Sequence, residues 1–148
     1  MLCGLQVSGI KLIKENLMNQ QAPVNSQTVK TIWIALTGSI LIYGIVLFQI
    51  QKMQFIAFPE GDLDPFQMMA LVMNFMILGT FFFFRKVVEK KSSIQEKFPL
   101  MVICWALNES VAIMGFAATF LNEDGNGIFY VINAAMAIFG NLLTFPRD

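Results

Sequence analysis

Trp105-Ala-Leu-Asn-Glu-Ser-Val-Ala-Ile-Met-Gly-Phe-Ala-Ala-Thr-Phe120 is the stretch whose reading decides the fold. It lies within an apolar segment from Phe98 to Leu121, about the length at which a helix spans a bilayer. One carboxylate, Glu109, sits near its middle. An ionisable group at that depth costs about 2.5 to 3.5 kcal/mol on insertion scales, so a functional role is the default reading of Glu109.

The rest of the composition agrees with a membrane solvent. Of the 148 residues, 56% are hydrophobic, 14% are charged and 15 are Phe, with a mean hydropathy of +0.63. A soluble domain lacks the polar surface to cover that much apolar material. Net charge is zero and there is no basic block, which argues against a nucleic-acid partner. Histidine is absent, removing the usual proton shuttle and the commonest metal ligand. Cys104 lies in the apolar segment and Cys3 in the N-terminal tail, so the two make neither a disulfide framework nor a ligand pair. With no phosphate loop and no nucleophile beside a base, neither an enzyme nor a cofactor is expected.

Working outward, three more apolar segments emerge, giving expected spans of about 31–50, 65–84, 98–121 and 128–145. Asp64 followed by Pro65 is a helix-start signal, an N-cap acid before an imino acid whose missing N–H costs nothing there. Phe98 and Pro99 are read as opening the third span. Asn122 to Gly127 reads as a tight turn; its oxygen-rich start resembles a calcium loop, but the twelfth position is Asn133, not a bidentate acid. Residues 1–30 form a tail, either an amphipathic interfacial helix (Leu5, Ile10, Ile13, Leu17) or disordered, with Met18 an alternative start. The tail has no continuous apolar core of the signal-peptide kind.

Charge orients the spans. Lys11, Lys14 and Lys30 fall in the tail, Arg85, Lys86, Lys90, Lys91 and Lys97 in the middle loop and Arg147 at the C-terminal end, leaving only Lys52 for the other loops. The positive-inside rule then makes both termini and the middle loop cytoplasmic. The expected fold is all-α: an integral-membrane, up-down four-transmembrane-helix bundle made of two tandem helical hairpins.

Ala35-Leu-Thr-Gly-Ser-Ile-Leu-Ile-Tyr-Gly44 aligns without gaps on Ala106-Leu-Asn-Glu-Ser-Val-Ala-Ile-Met-Gly115, which suggests an internal repeat of parallel halves. Small residues four apart in each copy, Ala35 with Ser39 and Ala106 with Ser110, let helix backbones approach in lipid. Asn74 and Asn133 lie at depths comparable to Glu109, so Glu109, Asn108, Ser110, Asn74, Asn133 and Ser39 are the candidate polar cluster. It has three readings: a hydrogen-bonded packing clasp, a reversible ion or proton site in an oligomer, or a contact with lipid, quinone or a partner helix.

Glu109-Ser-Val-Ala-Ile-Met-Gly115 resembles the carboxylate-bearing helix of the c subunit, or proteolipid, of F- and V-type rotary ATPases. Gly38-Ser-Ile-Leu-Ile-Tyr-Gly44 is similar to the half of a duplicated V-type proteolipid that has lost its carboxylate. The resemblance implies H+ or Na+ binding at Glu109 in an oligomeric ring. It departs from the family in span two, where Met and Phe replace a Gly-rich helix, and in placing the carboxylate on the third helix. The chain also looks like small uncharacterised bacterial four-span proteins that end in Phe-Pro-Arg, here Phe145-Pro146-Arg147, which implies the bacterial cytoplasmic membrane. The leading expectation is a non-enzymatic structural or accessory membrane protein, partnered by the lipid bilayer and by a second copy or a larger complex. The alternative is a proteolipid-like ion-binding subunit.

Overall fold

The computed structural model describes residues 24–51, 62–121 and 126–145, helices with their caps and short turns, with no β-strand among them. The expectations for the tail, for residues 52–61 with Lys52 and Glu60, for most of the Asn122 turn and for Pro146-Arg147 lie outside the described residues. The elements are α1 (Ser26–Gln51), α2 (Pro65–Met73), α3 (Phe75–Phe83), a single π-helical turn (Phe84–Val88), α4 (Ile94–Phe120) and α5 (Ile128–Leu143).

Local capping explains where these helices begin. The Asp64 carboxylate accepts the Gln67 N–H at 2.9 Å while the Gln67 side chain accepts the Asp64 N–H at 3.1 Å, with Pro65 at the first position. This reciprocal pairing satisfies two donors that the first turn leaves orphaned. Two other helices start earlier than expected. Asn25 accepts the Thr28 N–H at 2.7 Å, which carries α1 back to Ser26 and draws Lys30 into it. At α4 the Ser93 hydroxyl accepts the Glu96 N–H at 3.3 Å. Ser-x-x-Glu is a stronger start signal than Phe-Pro, so Pro99 rides exposed in the second turn instead of opening the helix.

Ser26–Ile50, Pro65–Val88 and Ile94–Phe120, of 25, 24 and 27 residues, are long and apolar enough to cross a membrane. At 16 residues, α5 extends about 24 Å, short of a hydrocarbon core of about 30 Å. Among the described residues three helices rather than four therefore meet the length requirement. The chain fits a small membrane protein, because these helices turn large apolar side chains outward: Ile34, Leu41, Ile45 and Phe48 on α1, and Val72, Phe75, Leu78 and Phe82 on α2–α3. In water so continuous an apolar face would be an aggregation liability.

Helix α4 is the hub. It packs against every other helix, whereas α1 and α2–α3 nowhere come within 8 Å of each other, Cα to Cα, among the described residues. The first two apolar segments are therefore not a packed hairpin; they flank a central α4–α5 pair. Small side chains account for the arrangement. Ala112, Gly115 and Ala118 of α4 and Ala134, Ala137 and Gly140 of α5 are all buried and allow close backbone approach. The pair is antiparallel, with the Tyr130 N–H on the Thr119 hydroxyl (3.1 Å) at one end and the Trp105 indole N–H on the Thr144 carbonyl (3.2 Å) at the other. Helix α1 runs parallel to α4, Ser39 lying beside Glu109 and Tyr43 against Phe116.

The second span is interrupted at Asn74. The Ala70 carbonyl, which would accept the Asn74 N–H in a regular helix, instead takes side-chain amides from Asn133 (2.8 Å) and Asn74 (3.2 Å). The Asn74 N–H shifts to Leu71 O at 3.2 Å. An inserted side chain is a recognised cause of such a break.

Candidate functional site: a carboxyl clasp and two amide locks

The six residues expected to form one cluster fall, by their hydrogen bonds, into separate sets. Glu109 projects from α4 into the α1–α4 seam and is half-buried. Its Oε1 accepts the Ser39 hydroxyl at 2.5 Å and the Tyr43 hydroxyl at 2.9 Å. Both donors lie on one face of α1, four residues apart, so neighbouring turns of α1 close on one carboxyl oxygen. The Ser39 oxygen also lies 2.7 Å from Leu36 O. With one hydrogen between two acceptors, it can donate to both groups only by switching. Ser110 takes no part: its hydroxyl donates to Leu107 O, a turn back on α4, at 2.6 Å.

Asn133 makes the first lock. It is fully buried, and its amide donates to Ala70 O (2.8 Å) and Val111 O (3.0 Å) while its carbonyl accepts the Asn74 amide (3.1 Å). The side chain fits because its neighbour on α4 is Gly115, where an added Cβ would lie 2.5 Å from Asn133 Cβ and 2.9 Å from Phe129 O. One Asn thereby ties α5 to α4 and to the α2–α3 junction.

Asn108 makes the second lock. It packs on Gly140, where a Cβ would lie 2.9 Å from the Asn108 amide carbon. Its carbonyl accepts the Thr80 hydroxyl at 2.7 Å and its amide donates to the Asn141 carbonyl at 3.1 Å; the Asn141 amide in turn donates to the Thr37 hydroxyl at 3.1 Å. The Trp33 indole donates to the Asn141 backbone carbonyl at 2.9 Å. A polar chain thus passes through α3, α4, α5 and α1, linking all four long or apolar segments.

The two locks share a sequence pattern. Asn108-Glu-Ser-Val-Ala-Ile-Met-Gly115 and Asn133-Ala-Ala-Met-Ala-Ile-Phe-Gly140 share Asn, Ala, Ile and Gly at the same places. On antiparallel helices each Asn then meets the other helix's Gly, a local two-fold arrangement. This Asn-x3-Ala-Ile-x-Gly match, together with Asn141, is what sequence reasoning missed; it was legible as a spacing of seven between an amide and a glycine on each helix. Gly44, a third notch, receives the ring of Tyr130, whose hydroxyl donates to Ile40 O.

Among the described residues no group of three or more His, Cys, Asp or Glu could hold a metal ion. Chemically, hydroxyls directly on a carboxyl oxygen and amides bonded from helix to helix fit a packing contact, although the buried Asn74 Oδ1 is left without a hydrogen-bond partner. No protein-family model matches the chain, nor does any curated protein or solved structure. The likeness to proteolipids accordingly stands on the two short segments that carry it.

Proposed function

We propose that this chain is a small multi-pass integral membrane protein with a structural or accessory, non-enzymatic role. The observation that carries the reading is the inverted distribution of polarity: Asn108, Asn133, Asn141, Thr80, Thr119 and Thr144 are buried while Ile34, Val72 and Phe75 are 62%, 63% and 72% exposed. In this reading α5, though short, crosses with α4, because it runs beside α4 from Thr119 to Trp105, and neighbouring helices let a short segment cross. Four crossings place both termini on the cytoplasmic side of a bacterial inner membrane, as the basic loop at 85–97 favours. Glu109 fastens α1 to the central pair.

Carbodiimide labelling and the Glu109→Gln variant test the clasp. Carbodiimides attack protonated intramembrane carboxyls. An unreactive Glu109, and a Glu109→Gln protein within about 0.6 kcal/mol of the parent in detergent, one interhelical bond's worth, are the expected results. Rapid labelling of Glu109 that Na+ suppresses would replace the clasp by proteolipid-like ion exchange.

A further inference from the structure

We infer that the seam between α3 and α4 is a binding site for an anionic phospholipid, with an acyl chain in the seam and the phosphate on the basic turn at its end. The inference rests on the membrane reading above and goes beyond it. Met76, Gly79, Thr80 and Phe83 of α3 and Ile103 and Leu107 of α4 line a groove of about 360 Å³. Its floor opens at Gly79, where an added Cβ would meet nothing within 4 Å. Unlike Gly115 and Gly140, this glycine receives no side chain among the described residues. From Met76 to Phe83 the groove follows roughly 10 Å of helix, and its walls are almost wholly hydrocarbon.

The end of this groove is charged. Phe83 is followed at once by the π-helical turn, closed by the Glu89 N–H on Phe84 O at 3.0 Å. Three consecutive positions, Arg85, Lys86 and Val87, are exposed between buried Phe84 and Val88, which share the inward face one turn apart. Arg85 pairs with Glu89 at 3.2 Å. Lys86, Lys90 and Lys91 are exposed and form no ion pair among the described residues. A hydrocarbon groove ending at unpaired cations just past a membrane span matches the two halves of an anionic phospholipid, and basic juxtamembrane clusters attract such lipids.

The test uses full-length protein reconstituted in vesicles of equimolar phosphatidylglycerol and phosphatidylcholine, extracted in mild detergent and weighed by native mass spectrometry for retained lipid. The parent protein is expected to retain phosphatidylglycerol over phosphatidylcholine. Lys86→Ala should lower that preference about fivefold, the effect of one cation near an anionic headgroup. Gly79→Leu, whose Cβ meets nothing within 4 Å and whose side chain extends from the groove lining, should lower retention of both lipids. Equal retention of the two lipids by the parent, or parent-like retention by Gly79→Leu, overturns the inference. Flotation with phosphatidylcholine vesicles alone separates the failures: a protein that floats but shows no headgroup preference keeps its membrane assignment and loses the site.

Discussion

Replacing Gly115 by Ala puts the interlocking of α4 and α5 to a direct test. The new methyl carbon would stand 2.5 Å from Asn133 Cβ and 2.9 Å from Phe129 O. Both atoms are fixed to the α5 backbone, so no side-chain rotation relieves the overlap and the helices must part by about 1 Å or more to reach ordinary carbon contact. Overpacking of this kind costs about 1 to 3 kcal/mol. The separation also stretches the Asn133 bond to Val111 O and disturbs that to Ala70 O, each worth about 0.6 kcal/mol and at most about 1.7 in a membrane. The expected loss is therefore about 2 to 5 kcal/mol, read as a shift in reversible unfolding in mixed micelles. Gly79→Ala is the internal control: with nothing within 4 Å it should be neutral or gain up to about 1 kcal/mol from helix propensity. Combining Gly115→Ala with Asn133→Gly moves the notch to the other helix and should restore part of the loss, though not the hydrogen bonds. Parent-like stability of Gly115→Ala, or equal damage from Gly79→Ala, would refute the reasoning.

Asn141→Leu severs the polar chain between Asn108 and Thr37 and leaves the buried Asn108 amide without its acceptor, a cost of about 1 to 3 kcal/mol measurable by the same unfolding. Asp64→Ala removes the side-chain acceptor of the Gln67 N–H while leaving the Asp64 N–H on the Gln67 side chain, and should cost about 1 kcal/mol, with hydrogen exchange rising first at the start of α2. Cys104 is a fully buried free thiol; in a Cys3→Ser background it should react with maleimide only as fast as the protein unfolds, and rapid labelling of the native state would contradict its placement. Tyr43→Phe removes one of two donors to Glu109 and should destabilise by about 0.6 kcal/mol, whereas Ser110→Ala, whose hydroxyl bonds only within α4, should leave the α1–α4 contact unchanged.

Much of the secondary structure was legible because it depends on neighbours in sequence. Asp64-Pro65 marked the start of α2, and the apolar runs marked all the helices. Ser93 was legible too, as a Ser-x-x-Glu start, yet the more conspicuous Pro99 drew the boundary to itself. What the residues could not convey by hydropathy was adjacency. All faces of these helices are apolar, so periodicity does not say which side meets protein and which meets lipid. The contact of α4 with all its neighbours, and the gap between α1 and α2–α3, depend on where small residues coincide across different helices. The polar candidates show the same limit. Depth along a span placed Glu109, Asn74 and Asn133 at one level, but depth is only one coordinate. Rotation about the helix axis sends Glu109 toward Ser39 and Asn133 toward Gly115, and that rotation was legible only in the repeated Asn-to-Gly spacing.

The position of α4 bears on how the chain assembles as it is synthesised. Its first two hydrophobic segments make no contact with each other among the described residues, so they should stay separate in the lipid until the third arrives and gives each a docking partner. A chain stopped after Val88 should then yield two independent, protease-sensitive helices, and the last segment, too short to sit comfortably in a bilayer alone, should become resistant only when α4 precedes it.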